Sequence, residues 1–229
     1  MARIADILER HALFAGLPRE DLSPVVVECR LKTPQKGDRI FSAGEPAEAF
    51  YIVAAGRVKL SRATPQGKEH VVEVIRAGES FALMPVLEEG GRFPVDATAL
   101  GDAALVRIPR EAFLRLLHRH PELHARSSRE IAERLRRFST RLEEVSTRPV
   151  QARIAAHILR LAGKDAGGVE KGTVVDLGAT REVAAATIGT VREVLIRTLR
   201  TMEKAGVVAL RARRIEIRDP QRLRAMAEG

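Results

Sequence analysis

The sequence has little cysteine, no long apolar run and no visible constellation of catalytic groups, and each absence removes a class of function. The single cysteine, Cys29, in 229 residues cannot close an internal disulfide. It also excludes any iron–sulfur cluster or zinc site built on several thiolates. No apolar stretch approaches the length of a bilayer span, and Met1 to Leu13 lacks the apolar core of a secretory signal. A cytoplasmic protein with no membrane partner is therefore expected. No nucleophile with a base beside it, no phosphate-binding glycine loop and no metal cluster is visible, which argues against an enzyme. Of His118, His120 and His124 only the last two have helical ligand spacing, Pro121 interrupts it, and no metal site is assigned.

What is present points to a folded, basic protein. Hydrophobic residues make up 45% of the chain, enough for one large domain or two modest ones. The net charge is +9, from 39 Lys and Arg against 30 Asp and Glu, which favours a polyanionic partner. The surplus is concentrated late: residues 149–229 hold 15 basic and 9 acidic residues, whereas residues 1–148 hold 24 and 21.

The pattern changes twice along the chain. Glycines at positions 56, 67, 78, 90, 91 and 101 recur about every eleven residues with short alternating segments between them, a spacing that predicts successive hairpins. Val58 and Leu60, Val72 and Val74, and Ala97 and Ala99 each alternate with their neighbours, so residues 21–109 read as one compact all-β barrel or roll, with Cys29 in an apolar strand. After Pro121, His124, Ser128, Ile131, Leu135, Phe138, Leu142 and Val145 follow one another at steps of four and three. This is a heptad seam between charged faces, and it predicts a helix that pairs with a second copy along one stripe until Pro149 stops it.

The last third holds two short helices with a glycine between them. Thr180 to Ile188 is the first, Gly189 is the turn, and Thr190 followed by Glu193 has the spacing of a capping box for the second. On that second helix Val191, Leu195, Thr198, Leu199 and Met202 form the inward stripe. Arg192, Glu193, Ile196, Arg197 and Arg200 take the other face, as a helix entering the major groove requires. An arginine fork suits guanine O6 and N7, Glu accepts from the cytosine amino group, and Ile196 suits a thymine methyl; Arg200 is placed for phosphate. Beyond Gly206, Val207-Val208 and Ile215 to Ile217 form a small hairpin whose turn carries Arg211, Arg213 and Arg214, a basic wing beside the phosphate backbone.

Taken together these residues resemble the CRP/FNR family of bacterial transcription regulators. Gly37-Asp38-x-Ile40-Phe41-x-x-Gly44-Glu45 and Tyr51-Ile52-Val53-x-x-Gly56-x-Val58-Lys59-Leu60 look like the opening of that family's sensory β-roll. Gly78-Glu79 and Phe93 to Leu100 continue it, and Gly189-Thr190-x-Arg192-Glu193-x-x-x-Arg197-x-Leu199 through Gly206 is similar to the winged recognition element. The resemblance implies an α+β fold: a sensory β-roll with flanking helices over 1–120, a dimerisation helix over 121–148 and a winged helix-turn-helix over 149–229. It implies a homodimer joined through Ile131, Leu135, Phe138, Leu142 and Val145, a palindromic operator with TGTGA-like half-sites, and contact with RNA polymerase. Thr190 and the arginines named above fall in the DNA-binding element.

For the effector the resemblance implies a pocket near Glu79, Arg92, Phe93 and Ser139. Phe93 and Pro94 stand where cyclic-nucleotide members carry the Arg-Ser or Arg-Thr clasp for the cyclic phosphate. A cyclic nucleotide, haem ligated from among His11, Cys29, His70 and His124, or no effector at all are the options, with cAMP disfavoured. A regulatory ligand-binding module acting on a protein partner is the alternative reading.

Overall fold

The computed structural model describes residues 2–63, 69–163, 169–177, 180–211 and 214–228. The chain divides into two compact units, residues 1–136 and 137–229.

The first unit opens with helices α1 (Ala2–Arg10) and α2 (Arg19–Glu28), followed by strands β1 (Arg30–Lys32), β2 (Arg39–Phe41), β3 (Ala49–Ala55), β4 (Arg57–Ala63), β5 (Glu69–Arg76) and β6 (Ser80–Phe81). Helix α3 (Leu83–Leu87), strands β7 (Asp96–Ala99) and β8 (Ala104–Pro109), helix α4 (Arg110–Arg119) and the start of the long helix α5 (Glu122–Thr147) complete it. Two antiparallel four-stranded sheets, ordered β1-β8-β3-β6 and β2-β7-β4-β5, enclose one core. Phe14, Phe50, Phe81 and Phe113 are its largest fully buried side chains.

Among the described residues of the roll, the expectation of successive hairpins holds for β4 and β5, and the other strand pairings there join strands distant in sequence. Alternation identifies strands but not their partners. Gly56 shows what redirects the chain: at φ +81° it hands β3 of one sheet to β4 of the other, and a Cβ there would overlap the backbone of Asp102 and Ala103. On β5 the inward side chains are Val71 and Ile75 while Val72 and Val74 are half-buried; both phases of this strand carry apolar residues, so alternation alone does not say which one faces in. Residues 21–28 belong to helix α2, and Cys29 caps it rather than lying in a strand. Leu22, Val25 and Val26 bury one stripe of α2 in the core, a period the short run Val25-Val26-Val27 could not declare by itself.

The second unit contains the last turns of α5, helix α6 (Val150–Ala162), strand β9 (Val174–Asp176), helices α7 (Arg181–Ile188) and α8 (Arg192–Lys204), strands β10 (Val208–Arg211) and β11 (Arg214–Ile217), and helix α9 (Pro220–Glu228). Its sheet, β10-β11-β9, adds a third strand beside the expected hairpin of β10 and β11. Among the described residues its core is aliphatic: Ile154, Ile158, Leu195, Leu199, Ile217 and Leu223 are fully buried together with Met202 and small residues. Across both units no described helix is long and apolar enough to cross a membrane.

Candidate nucleic-acid interface

Helix α7 starts with Thr180, whose Oγ1 accepts a hydrogen bond from the Val183 amide at 3.2 Å. It ends at Gly189, in the left-handed region at φ +76°, where the Gly189 and Thr190 amides return to the Ala186 and Ala185 carbonyls at 3.0 and 2.9 Å. A Cβ at Gly189 would overlap Val145 Cγ2 and lie 2.8 Å from Arg153 Nη1, so the turn needs glycine for space as well as conformation. Arg153, buried on α6, donates from Nη1 to the carbonyls of Ile188 and Gly189 at 2.8 and 2.7 Å. A fixed cation thus meets the negative end of α7 and fastens the turn to the unit's core. Sequence reading passed over Arg153, because an arginine in an apolar-periodic helix gives no sign that its head turns inward.

The second helix departs from expectation at its start. Val191, not Thr190, occupies the cap position of α8, no side chain caps it, and the Thr190–Glu193 capping box does not form. Val191 is 58% exposed and not part of the inward stripe. The Thr190 amide is engaged with the Ala185 carbonyl of α7, which puts Thr190 in the α7 terminus and leaves Val191 to begin α8. From Leu195 onward the division of faces is sharp. Leu195, Leu199 and Met202 are fully buried, while Arg192, Glu193, Arg197 and Arg200 are exposed and Ile196 is half-buried.

Arg192 is not unattached: its Nε pairs with Glu182 Oε1 of α7 at 2.9 Å, across the turn. Glu182 carries a carboxyl held below its ordinary value, first by its own backbone amide, then by the Thr180 hydroxyl and Arg192. On the hairpin, Arg211 faces Arg214 at the end of the ladder, both exposed, and Glu216 receives Arg211 at 3.7 Å and Arg218 at 3.1 Å. Arg213 lies outside the described residues.

Of the four effector-pocket residues, Glu79, Arg92 and Phe93 turn to separate partners. Glu79 accepts from the Arg76 amide at 2.7 Å, and Arg92 is exposed and donates to the Gly44 carbonyl at 2.7 Å. Phe93 is buried with its ring stacked on Phe41, centroids 3.7 Å apart, in a cluster with Tyr51 and Phe81. Ser139 is exposed on α5. An aromatic stack therefore fills the place where a clasp for cyclic phosphate would stand, and these residues do not fit that ligand.

The haem candidates fare no better. His70 and His124 are exposed, whereas His11 is buried, its Nδ1 accepting from the Leu13 amide at 3.3 Å. Cys29 is buried, and that burial pushes its thiol up to about 12, away from the thiolate a metal needs. Among the described residues no group of three or more His, Cys, Asp or Glu side chains is arranged to hold a metal ion.

On α5 the seam positions Leu135 and Leu142 are 64% and 69% exposed. Ile131 and Phe138 are half-buried, His124 and Ser128 are exposed, and Val145 spends one side against the Gly189 turn. Some of the charged residues beside the seam hold the first part of α5 to the roll. Arg126 donates to the Leu13 and Ala15 carbonyls at 3.2 and 2.6 Å, and Arg134 pairs with Glu73 at 3.0 Å and donates to the Ser80 carbonyl at 3.3 Å. Glu130 accepts from the Ser80 hydroxyl.

Comparison with known proteins agrees with this layout. Residues 31–120 match the cyclic nucleotide-binding domain and residues 152–226 the Crp-like helix-turn-helix domain. The chain is 31% identical over 155 residues to the cyclic AMP receptor protein of Thermus thermophilus, covering 68% of this chain and 71% of the relative. It is 28% identical over 157 residues to the CRP-like cAMP-activated global transcriptional regulator of Mycobacterium tuberculosis, covering 69% and 70%. The crystal structure of the Thermus thermophilus catabolite activator protein superposes with a TM-score of 0.51 at 29% identity, over 95% of this chain and 99% of that one. With a β-roll, a long helix and a winged helix-turn-helix in this order, the chain belongs to the CRP/FNR family and is a DNA-binding transcription regulator, not an enzyme.

Proposed function

We propose that this regulator works in the cytoplasm as a homodimer on a two-fold symmetric operator with TGTGA-like half-sites, and that it contacts RNA polymerase there. The observation that carries the reading is the two-sidedness of α8, fully buried along Leu195, Leu199 and Met202 and open along Arg192, Glu193, Arg197 and Arg200. A helix anchored on one side and polar on the other can enter a major groove without unfolding its support. Arg192, Glu193 and Arg197 read base edges, with Ile196 against a neighbouring base. Thr190, Arg200, Arg211, Arg213 and Arg214 meet the sugar-phosphate backbone. The outward apolar side chains of Leu135 and Leu142, in line with Ile131, Phe138 and Val145, support pairing of two α5 helices.

Operator binding needs no cyclic nucleotide in this reading, because Phe93 and Pro94 offer no donors to a cyclic phosphate. Selection of bound duplexes from a random library by the purified protein, at two salt concentrations and with or without cAMP, tests it. The expected result is one palindromic site, unchanged by cAMP, with affinity falling steeply as salt rises. Arg192→Ala or Arg197→Ala should relax one base position at a cost of about 1–3 kcal/mol per contact, whereas Arg214→Ala should weaken all sequences alike. No selected sequence, or identical behaviour of the two kinds of variant, would overturn the assignment.

A further inference from the structure

We propose that Glu182 is a positioning residue for operator specificity: it aims the Arg192 fork and cancels its attraction to arbitrary phosphates. This rests on α8 being the reading helix. Glu182 is the second residue of α7 and Arg192 the first of α8, and their ion pair of 2.9 Å is the side-chain link across the helix-turn-helix turn. Both side chains are about half exposed, so the pair lies at the surface and not in the core.

Exposed ion pairs contribute little to folding stability, so the consequence of this one must be sought elsewhere. The Glu182 carboxyl is held below its ordinary value, first by its own backbone amide, then by the Thr180 hydroxyl and Arg192, and the start of α7 is where the helix dipole favours negative charge. Arg192 is therefore paired with a carboxylate that stays charged.

The grip is on Nε, one side of a planar guanidinium that carries five N–H donors. A bidentate contact with guanine needs two parallel N–H groups, and the Nη1–Nη2 edge supplies them with Nε already engaged. Two effects follow. The side chain enters the groove with fewer rotamers to lose, which strengthens the directed contact. Its charge is balanced by a neighbouring carboxylate, which weakens the undirected pull on any phosphate. Both raise the ratio of specific to non-specific binding, and the second does so by disfavouring the wrong partner.

The test uses the full-length protein, the selected operator, and variants of that operator with single base pairs replaced. Wild type, Glu182→Gln, Arg192→Ala and the double variant are compared at two salt concentrations, with thermal melts confirming that each is folded. Arg192→Ala identifies the base pair that Arg192 reads. Glu182→Gln is expected to lose about 3- to 10-fold discrimination per half-site at that base pair alone, and to bind random duplex more tightly with a steeper salt dependence. In the Arg192→Ala background the Glu182 change should alter discrimination no further. Wild-type discrimination in Glu182→Gln overturns the inference and leaves the reading helix in place. So does a uniform loss across all base pairs, or an effect that persists without Arg192. Absence of any selected operator, or unchanged discrimination in Arg192→Ala, removes the assignment of α8 and this inference with it.

Discussion

The two units solve opposite packing problems. The β-roll draws on Phe14, Phe41, Phe50, Phe81, Phe93, Phe113 and Tyr51, all buried, and fills its interior with rings. The winged unit has no aromatic in its core cluster and packs Ala184, Ala185 and Ile188 against α6 and α8. Large rings close space that a small ligand would otherwise enter. Small residues let helix backbones approach closely, which fixes the exposed face of α8 without occupying it. The roll thus puts rings where Phe93 meets Phe41, and the winged unit keeps the polar face of α8 open.

Substitutions can separate the two. The largest effect is expected from Phe81→Ala, which should destabilise the roll by about 3–5 kcal/mol, as aromatic truncations in cores do. Tyr51 is the sole tyrosine and the chain has no tryptophan, so its fluorescence reports unfolding of the roll alone. The Tyr51 transition should shift, while amide exchange in α7 and α8 should not.

The converse is Gly189→Ala, expected to cost the winged unit about 1–3 kcal/mol through its left-handed backbone and the overlap with Val145. Arg153→Met should cost a similar amount, about 1–3 kcal/mol, because two helix-end carbonyls lose their donor. Both should accelerate exchange in α7 and α8 and leave the Tyr51 transition in place. A smaller effect, about 1 kcal/mol on the roll, is expected for Arg134→Gln, which removes a largely buried ion pair with Glu73. If Arg134→Gln also weakens operator binding, the polar attachment of α5 to the roll contributes to presenting the dimer seam.

The smallest effect is one of pH. Burial is the main influence on His11 and holds it below its ordinary value, against the opposing pull of Glu130. The unfolded chain therefore takes up this proton first. The contribution of His11 to stability is complete above about pH 6.5 and is lost as pH falls below it. Denaturant midpoints followed by Tyr51 should fall between pH 7 and pH 5.5, with a shallower slope in His11→Gln.

Much of this was readable from residue order. The steps of four and three along α5, the glycine stop at 189 and the alternation of Ala97 and Ala99 are local signals, and each element stands where they point. Pairing of the strands was not readable, because β2 with β7 and β3 with β8 depend on which strands share a core. The start of α8 differs for a similar reason: Thr190 and Glu193 have capping-box spacing, but the Thr190 amide is drawn back to the Ala185 carbonyl at the end of α7, and the helix starts one residue later, at Val191. Arg153 and Glu182 escaped notice because an arginine in a helix and a glutamate near a helix start are commonplace, and their partners lie 35 or 36 and ten residues away.

Residue order alone thus determined the class of the protein, since periodicity, glycine placement and the arginines of α8 are properties of neighbouring positions. Only the tertiary structure decided which groups are free to act. It turned Phe93 inward onto Phe41, set Arg153 beneath the turn and placed Glu182 beside Arg192. Contacts between residues far apart in sequence depend on the enclosed volume and the charges that burial brings together, and no local pattern encodes either.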